Sequence, residues 1–233
     1  MRARGLFITG TDTGVGKTWA TLSLMNALQH QGLAVVGMKP VSTGASLRNG
    51  RWVNEDALAL QRAASVSVPY ERVNPYVFEP PASPHIAAEM AGESIDLSGI
   101  LAAFDELRDS ADCILVEGVG GWKVPLNRGL SVADLATALE LPVVMVVGLR
   151  LGCLNHARLT YDAIQFSNAR YGGWIANRLV RDFAYADEHL ATLTEAMGAP
   201  PLAELAYNDA SGQSQAAGGM LLKTDEILRL LAP

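Results

Sequence analysis

The chain has little of what several protein classes depend on. Its 233 residues contain two cysteines, Cys113 and Cys153, set in apolar surroundings and outside any CxxC pair. That argues against a cysteine-built staple or zinc site and reads as two core thiols in a reducing compartment. No run approaches the ~20 apolar residues of a membrane span. The apolar start Leu6-Phe7-Ile8 stops at Thr9, too soon for a secretory signal. Basic charge is also scarce: Lys and Arg number 18 against 24 Asp and Glu, a net charge of −6. A nucleic-acid binder needs a basic face that this balance does not supply. His30, His85, His156 and His189 show no metal-ligand spacing. The expectation is a cytoplasmic protein with neither nucleic acid nor membrane as partner, while a small anionic ligand stays open.

What is present is a globular composition, 49% hydrophobic and 18% charged. At this length a single domain buries roughly 70% of its unfolded surface. Apolar runs predict strands over 5–9, 34–39, 113–117, 143–148, 173–177 and 202–205. Helix-period segments predict helices over 17–31, 56–64, 85–91, 98–108, 132–139, 155–168, 187–197 and 225–231. The run Val143-Val144-Met145-Val146-Val147 is apolar throughout, as in a strand covered on both faces. Strand and helix in alternation imply one α/β domain over residues 1–233, a mostly parallel sheet with helices on both faces. Ligands of such sheets sit at the carboxyl ends of the strands. Two stretches, 40–54 and the proline-rich 65–84, read as long irregular loops of the kind that carry function.

Gly10-Thr11-Asp12-Thr13-Gly14-Val15-Gly16-Lys17-Thr18 follows the first strand and opens the first helix. In that context a glycine-rich turn aims backbone N–H groups and a helix N-terminus at phosphate oxygens. Lys17 would reach the terminal phosphates of ATP and Thr18 would join a Mg²⁺ shell. The first glycine stands one position early, at Gly10, with Thr11 in its usual place. Glu117 ends a strand and precedes Gly118, Gly120 and Gly121, so it reads as a metal-binding carboxylate or as an acid in a glycine-rich turn. Asp56 begins a predicted helix, where it serves either as N-cap or as metal ligand. Lys39 closes the second strand, positioned to stabilise a transferring phosphoryl group or simply to meet solvent.

These segments together resemble the dethiobiotin synthetase family. The resemblance rests on the phosphate loop, Lys39-Pro40-Val41, Asp56-Ala57-Leu58, Asn74-Pro75-Tyr76, Ser83-Pro84-His85, Val116-Glu117-Gly118, Leu151-Gly152-Cys153 and Ala176-Asn177, in family order. It implies a fold of the P-loop NTPase type and an ATP-dependent ring closure in biotin biosynthesis. In that reaction 7,8-diaminopelargonate, CO₂ and ATP give dethiobiotin, ADP and phosphate through a carbamate and a carbamic–phosphoric anhydride. By resemblance Thr13, Lys17 and Lys39 act on the carbamate and the phosphates, and Thr43 hydrogen-bonds the substrate. Thr18, Asp56 and Glu117 organise Mg²⁺. Gly14, Val15, Gly16, Trp19, Gly118, Val119, Gly120, Asn177, Arg178, Ala206, Tyr207 and Asn208 line the nucleotide, with Asn177 reading adenine. The family is homodimeric, and Gly152, Cys153, Leu154 and Asn155 meet the substrate carboxylate in the neighbouring subunit's site.

The sequence departs from its relatives at Gly14, where some carry a carboxylate, and at Thr43, where some carry serine. From about Arg181 onward the resemblance thins, and His189 reads as a helix-surface histidine. Two rival readings use the same loop. A cobalamin-pathway ligase would be expected to add a glutaminase domain with a reactive cysteine. A partition or positioning ATPase switch would carry an extra lysine early in the loop, and Thr11 to Val15 contain none.

Overall fold

The computed structural model describes residues 5–207 and 220–232. Strand β1 (Gly5–Gly10) runs through the phosphate loop into helix α1 (Lys17–His30), which leads to β2 (Val35–Met38). Next come β3 (Val41–Ser42), β4 (Ser46–Arg48), β5 (Arg51–Val53), α2 (Glu55–Ala63) and α3 (Tyr70–Val73). They are followed by β6 (Tyr76–Val77), α4 (Pro84–Ala91), α5 (Leu97–Arg108) and β7 (Cys113–Glu117). The second half holds α6 (Val132–Ala138), β8 (Val143–Leu149), α7 (Cys153–Gln165), β9 (Tyr171–Arg178) and α8 (Ala186–Met197). It closes with β10 (Ala203–Leu205), β11 (Met220–Leu222) and α9 (Thr224–Leu230).

Seven strands form the central sheet in the order β11-β10-β9-β8-β1-β7-β2. All pairings are parallel except β10 with β11. Every residue of β1, β2, β7 and β8 is buried, because helices cover both faces of these apolar runs. The chain leaves β1 for β2 on one side and later returns from β7 to β8 on the other. The crevice at that reversal is where open α/β sheets take ligands. Along the carboxyl edge stand the ends of β8, β1, β7 and β2, in that order.

The predicted strands and helices of the main sheet are all present, with boundaries shifted by up to three residues, as helix and strand ends commonly are. The two stretches read as irregular carry short elements between their loops. β3 pairs with β6, and β4 with β5 forms a hairpin closed by Asn49-Gly50, both with positive φ (52° and 76°). Asn-Gly between strands is a strong hairpin signal. The two-residue strands β3 and β6 are too short to leave any period in the sequence. β11 was not anticipated either, since three residues at an antiparallel edge carry little pattern. Helix α7 starts at Cys153, ahead of the expected 155, because Gly152 turns the chain left-handed (φ 92°) directly before it.

Candidate functional site

The phosphate loop connects β1 to α1 without a side-chain cap: Gly16 itself occupies the N-cap position with φ 86°. A Cβ there would come within 2.1 Å of the Asn177 amide nitrogen, so both the dihedral and the space require glycine. Asn177 is buried at the end of β9 and donates from Nδ2 to the Val15 carbonyl at 2.9 Å. It braces the loop from behind.

Lys17 is buried, and its Nζ donates to the carbonyls of Asp12 (3.0 Å) and Gly120 (2.6 Å). Burial above all, and then the nearby Lys39 charge, lower its pKa to about 8 against the opposing pull of Glu117, Asp56 and Asp12. Lys39, also buried, stands just past the end of β2. Its Nζ donates to Asp56 Oδ2 at 3.2 Å and makes a short contact to Glu117 Oε1. Burial is the largest single influence on Lys39 and disfavours its charge. The two carboxylates together outweigh it, so its pKa is raised.

Glu117 is fully buried at the end of β7. Its Oε1 accepts from Thr18 Oγ1 at 2.9 Å as well as from Lys39, while Oε2 is buried without a hydrogen-bond partner. A buried carboxylate oxygen without a donor calls for a cation or an ordered water. Thr18, Asp56 and Glu117 therefore fit a hard cation such as Mg²⁺. Among the described residues no three His, Cys, Asp or Glu side chains gather into a protein-only cage. Mg²⁺ keeps waters and substrate phosphates in its shell and uses few protein ligands.

Asp56 is not the N-cap of α2. Asn54 takes that position, and its side chain accepts from the Ala57 N–H at 3.3 Å. Moving the cap two residues back leaves the Asp56 carboxylate in the first turn, free to pair with Lys39. The strap after β2 is held by Asn74, which the residue pattern left without a role. Its Nδ2 donates to the carbonyls of Lys39 (2.6 Å) and Tyr76 (3.1 Å), and its Oδ1 accepts from Ser42 Oγ (2.7 Å) and Tyr70 OH (3.0 Å). Tyr70 OH also accepts from the Asn54 N–H at 2.8 Å. One buried chain of bonds thus sets Lys39 and the start of α2 together.

A cavity of about 710 Å³ opens over these groups. Thr13, Gly14, Gly16, Lys17, Thr18, Lys39, Thr43, Asp56, Glu117, Val119 and Gly120 line it, as the sequence leads one to expect. Ser42, Asn54, Val124 and the turn 81–84 line it too, and were not singled out as site residues. Val15 is core and Trp19 packs against the core. Asn177, Arg178, Ala206 and Tyr207 lie outside the lining, at or just past the carboxyl ends of β9 and β10. Arg178 pairs with Asp187 (2.8 Å), and the Arg181 guanidinium lies 5.4 Å from the Tyr207 ring centre. Asn208 falls outside the described residues. The segment Gly152, Cys153, Leu154 and Asn155 also lies away from this cavity, at the start of α7. His189 is half-buried on α8, its ring 4.8 Å from that of Phe183 and Nδ1 on the Tyr185 carbonyl at 2.8 Å.

A family profile described as an AAA domain matches residues 4–215. A protein of Aromatoleum aromaticum named ATP-dependent dethiobiotin synthetase BioD is 44% identical over 219 residues, 94% of this chain and 97% of the relative. A namesake from Xylella fastidiosa is 47% identical over 200 residues, 86% of this chain and 88% of the relative. One from Xanthomonas oryzae pv. oryzae is 43% identical over 219 residues, 94% and 98%. Among solved structures, the MinD cell division protein of Aquifex aeolicus aligns with a TM-score of 0.58 at 17% identity, covering 98% of this chain and 97% of that one. A ParA family ATPase from Chlorobium tepidum gives 0.56 at 14% identity, covering 99% and 93%. At such identities the likeness to these two structures shows the fold alone.

Proposed function

The chain belongs to the ATP-dependent dethiobiotin synthetase family, and on that premise we propose that its cleft closes the ureido ring of dethiobiotin from 7,8-diaminopelargonate, CO₂ and ATP. It is an ATP-dependent ligase of biotin biosynthesis, built as one synthetase domain. The observation that carries the mechanism is the placing of Lys39 between Glu117 and Asp56, beside the phosphate loop. Two ammonium groups, Lys17 and Lys39, face one cavity that also has hydroxyls, the buried Glu117 carboxylate and the half-exposed Asp56 carboxylate. Such a set serves phosphoryl transfer by charge neutralisation and positioning, with no protein nucleophile required.

In this reading one amine of the diamine takes up CO₂ and loses a proton to become a carbamate. A carbamate oxygen attacks the γ-phosphorus and ADP leaves. The second amine then attacks the carbamoyl carbon, phosphate departs, and a proton is lost as the ring closes. Lys39 stabilises the carbamate and the transferring phosphoryl group, Lys17 and Thr13 hold phosphate and carbamate oxygens, and Thr43 bonds the substrate. Thr18, Asp56 and Glu117 would hold Mg²⁺, which when bound neutralises triphosphate charge. On this reading the adenine lies towards Asn177, Arg178, Ala206 and Tyr207.

A cytoplasmic homodimer completes the proposal, with the helix N-terminus at Gly152, Cys153, Leu154 and Asn155 set towards the partner's substrate carboxylate, the Cys153 N–H itself being taken by the Arg150 carbonyl. Support comes from exposed apolar side chains before, on and after α7: Leu151, Leu159 and Phe166 are 85%, 62% and 92% exposed. The purified chain given diaminopelargonate, bicarbonate and MgATP is expected to form dethiobiotin and ADP in equal amounts. Equal ADP release without the diamine would overturn the ligase reading.

A further inference from the structure

A carboxylate in a phosphate loop is an electrostatic liability, since it sits where a triphosphate must bring several negative charges. Asp12 is such a group, five residues before Lys17 and next to Thr13, which lines the cavity. Its two oxygens are directed elsewhere. Oδ1 accepts from the Thr13 N–H at 2.7 Å, and Oδ2 pairs with Arg150 Nη2 at 2.9 Å. Arg150 is the first residue past β8, the strand next to β1 on the carboxyl edge. Its own carbonyl accepts from the Cys153 N–H at 3.0 Å and so closes the turn into α7. The Asp12 carbonyl meanwhile receives Lys17 Nζ. Thus one residue, Asp12, touches the loop lysine, the loop backbone and Arg150.

We infer that Arg150 is a positioning residue of the nucleotide site, acting through Asp12. It neutralises the Asp12 carboxylate and holds it on the outer side of the loop. Without Arg150 that carboxylate still has Lys17 within its field, whose charge Asp12 already favours. A carboxylate turned to Lys17 would compete with the phosphates for the same ammonium and repel them. Thr13 would lose its fixed place as well, because Asp12 Oδ1 is the acceptor of its N–H. Arg150 does not line the cavity, so its contribution is to the geometry and charge of the loop. The pair is part-exposed, so the effect is expected to be modest and to shrink with salt.

The inference rests on the nucleotide-binding reading above, and one double-mutant cycle separates the two. MgATP binding to the full-length protein is measured by calorimetry at low and high salt, for wild type, Arg150→Met, Asp12→Asn and the double variant. Asp12→Asn keeps an oxygen for the Thr13 N–H while removing the charge. Arg150→Met is expected to raise the ATP Kd by about three- to tenfold at low salt, and Arg150→Lys to restore most of it. In the Asp12→Asn background the Arg150→Met change is expected to shift Kd less than about twofold. An equal loss in both backgrounds would mean that Arg150 acts by its own field or through α7, and would overturn the inference. So would an unchanged Kd in Arg150→Met, or a loss confined to the KM of the diamine. Failure of the wild-type protein to bind MgATP would instead sink the nucleotide-site reading itself.

Discussion

Lys39 and Glu117 hold opposite charges where neither side chain meets bulk water. Taking either partner away leaves the other charged and buried, which is costly. The pair persists because it is embedded: Thr18 and Asp56 add bonds, and the second Glu117 oxygen is left for a cation. Replacing Lys39 by Gln is expected to lower kcat by about 10²–10³-fold while MgATP affinity changes by a few-fold at most. Steady-state kinetics alongside calorimetry checks this, and unchanged turnover would remove Lys39 from the chemistry. Lys17 gives a pH signature. Its pKa of about 8 in the free protein should rise when phosphates surround it. ATP affinity should therefore fall as pH climbs past 8, and binding near pH 8 should take up about half a proton per site. Calorimetry in buffers of different ionisation enthalpy reads that uptake directly, and zero uptake would mean that Lys17 keeps one protonation state. Both lysines, Glu117 and the loop glycines were legible as residues, because each ends a strand or opens a helix in an order that few functions share. Asn74 and Arg150 were not. Their importance lies in what they bond across the fold, and 35 residues separate Asn74 from the Lys39 carbonyl it fixes.

Elements decide which of several chemically able residues become the site. The sequence allows Asp56 to cap α2; Asn54 does so, and the carboxylate is released to Lys39. Asn54→Ala is expected to cost about 1 kcal/mol, a fall in Tm of about 2–4 °C, read by thermal unfolding. An unchanged Tm would show that the cap contributes nothing measurable. At the other end of the site, Gly16 begins α1 with Asn177 pressed against it. Gly16→Ala is expected to abolish MgATP binding in a protein that still folds, as judged by circular dichroism and calorimetry. Wild-type affinity in that variant would show that the loop and Asn177 yield freely. The main strands could be read from continuous apolar runs, since burial on both faces leaves a clear mark. The β4–β5 hairpin could have been read from Asn49-Gly50. The β3–β6 pair could not, for two residues define no period.

Over the whole molecule, the exposed Leu151, Leu159 and Phe166, before, on and after α7, mark the surface expected to meet a second copy. Leu159→Glu should shift the protein towards monomer in sedimentation velocity and raise the diamine KM, with ATP affinity nearly unchanged. A variant that stays dimeric with normal kinetics would move the interface elsewhere. Fold class and sheet direction were readable from alternation alone. The strand order was not, because nothing local says that β7 and β8 flank β1. That order has a consequence of its own. Neighbouring strands lie about 4.8 Å apart, so the ends of β8, β1, β7 and β2 mark off a line about 14–15 Å long. Arg150, the phosphate loop, Glu117 and Lys39 sit on it like graduations on a ruler cut into the backbone ladder. Changing the segments 40–54 and 81–84 could alter which molecule is accepted, yet the intervals between the charged groups would stay as the ladder sets them.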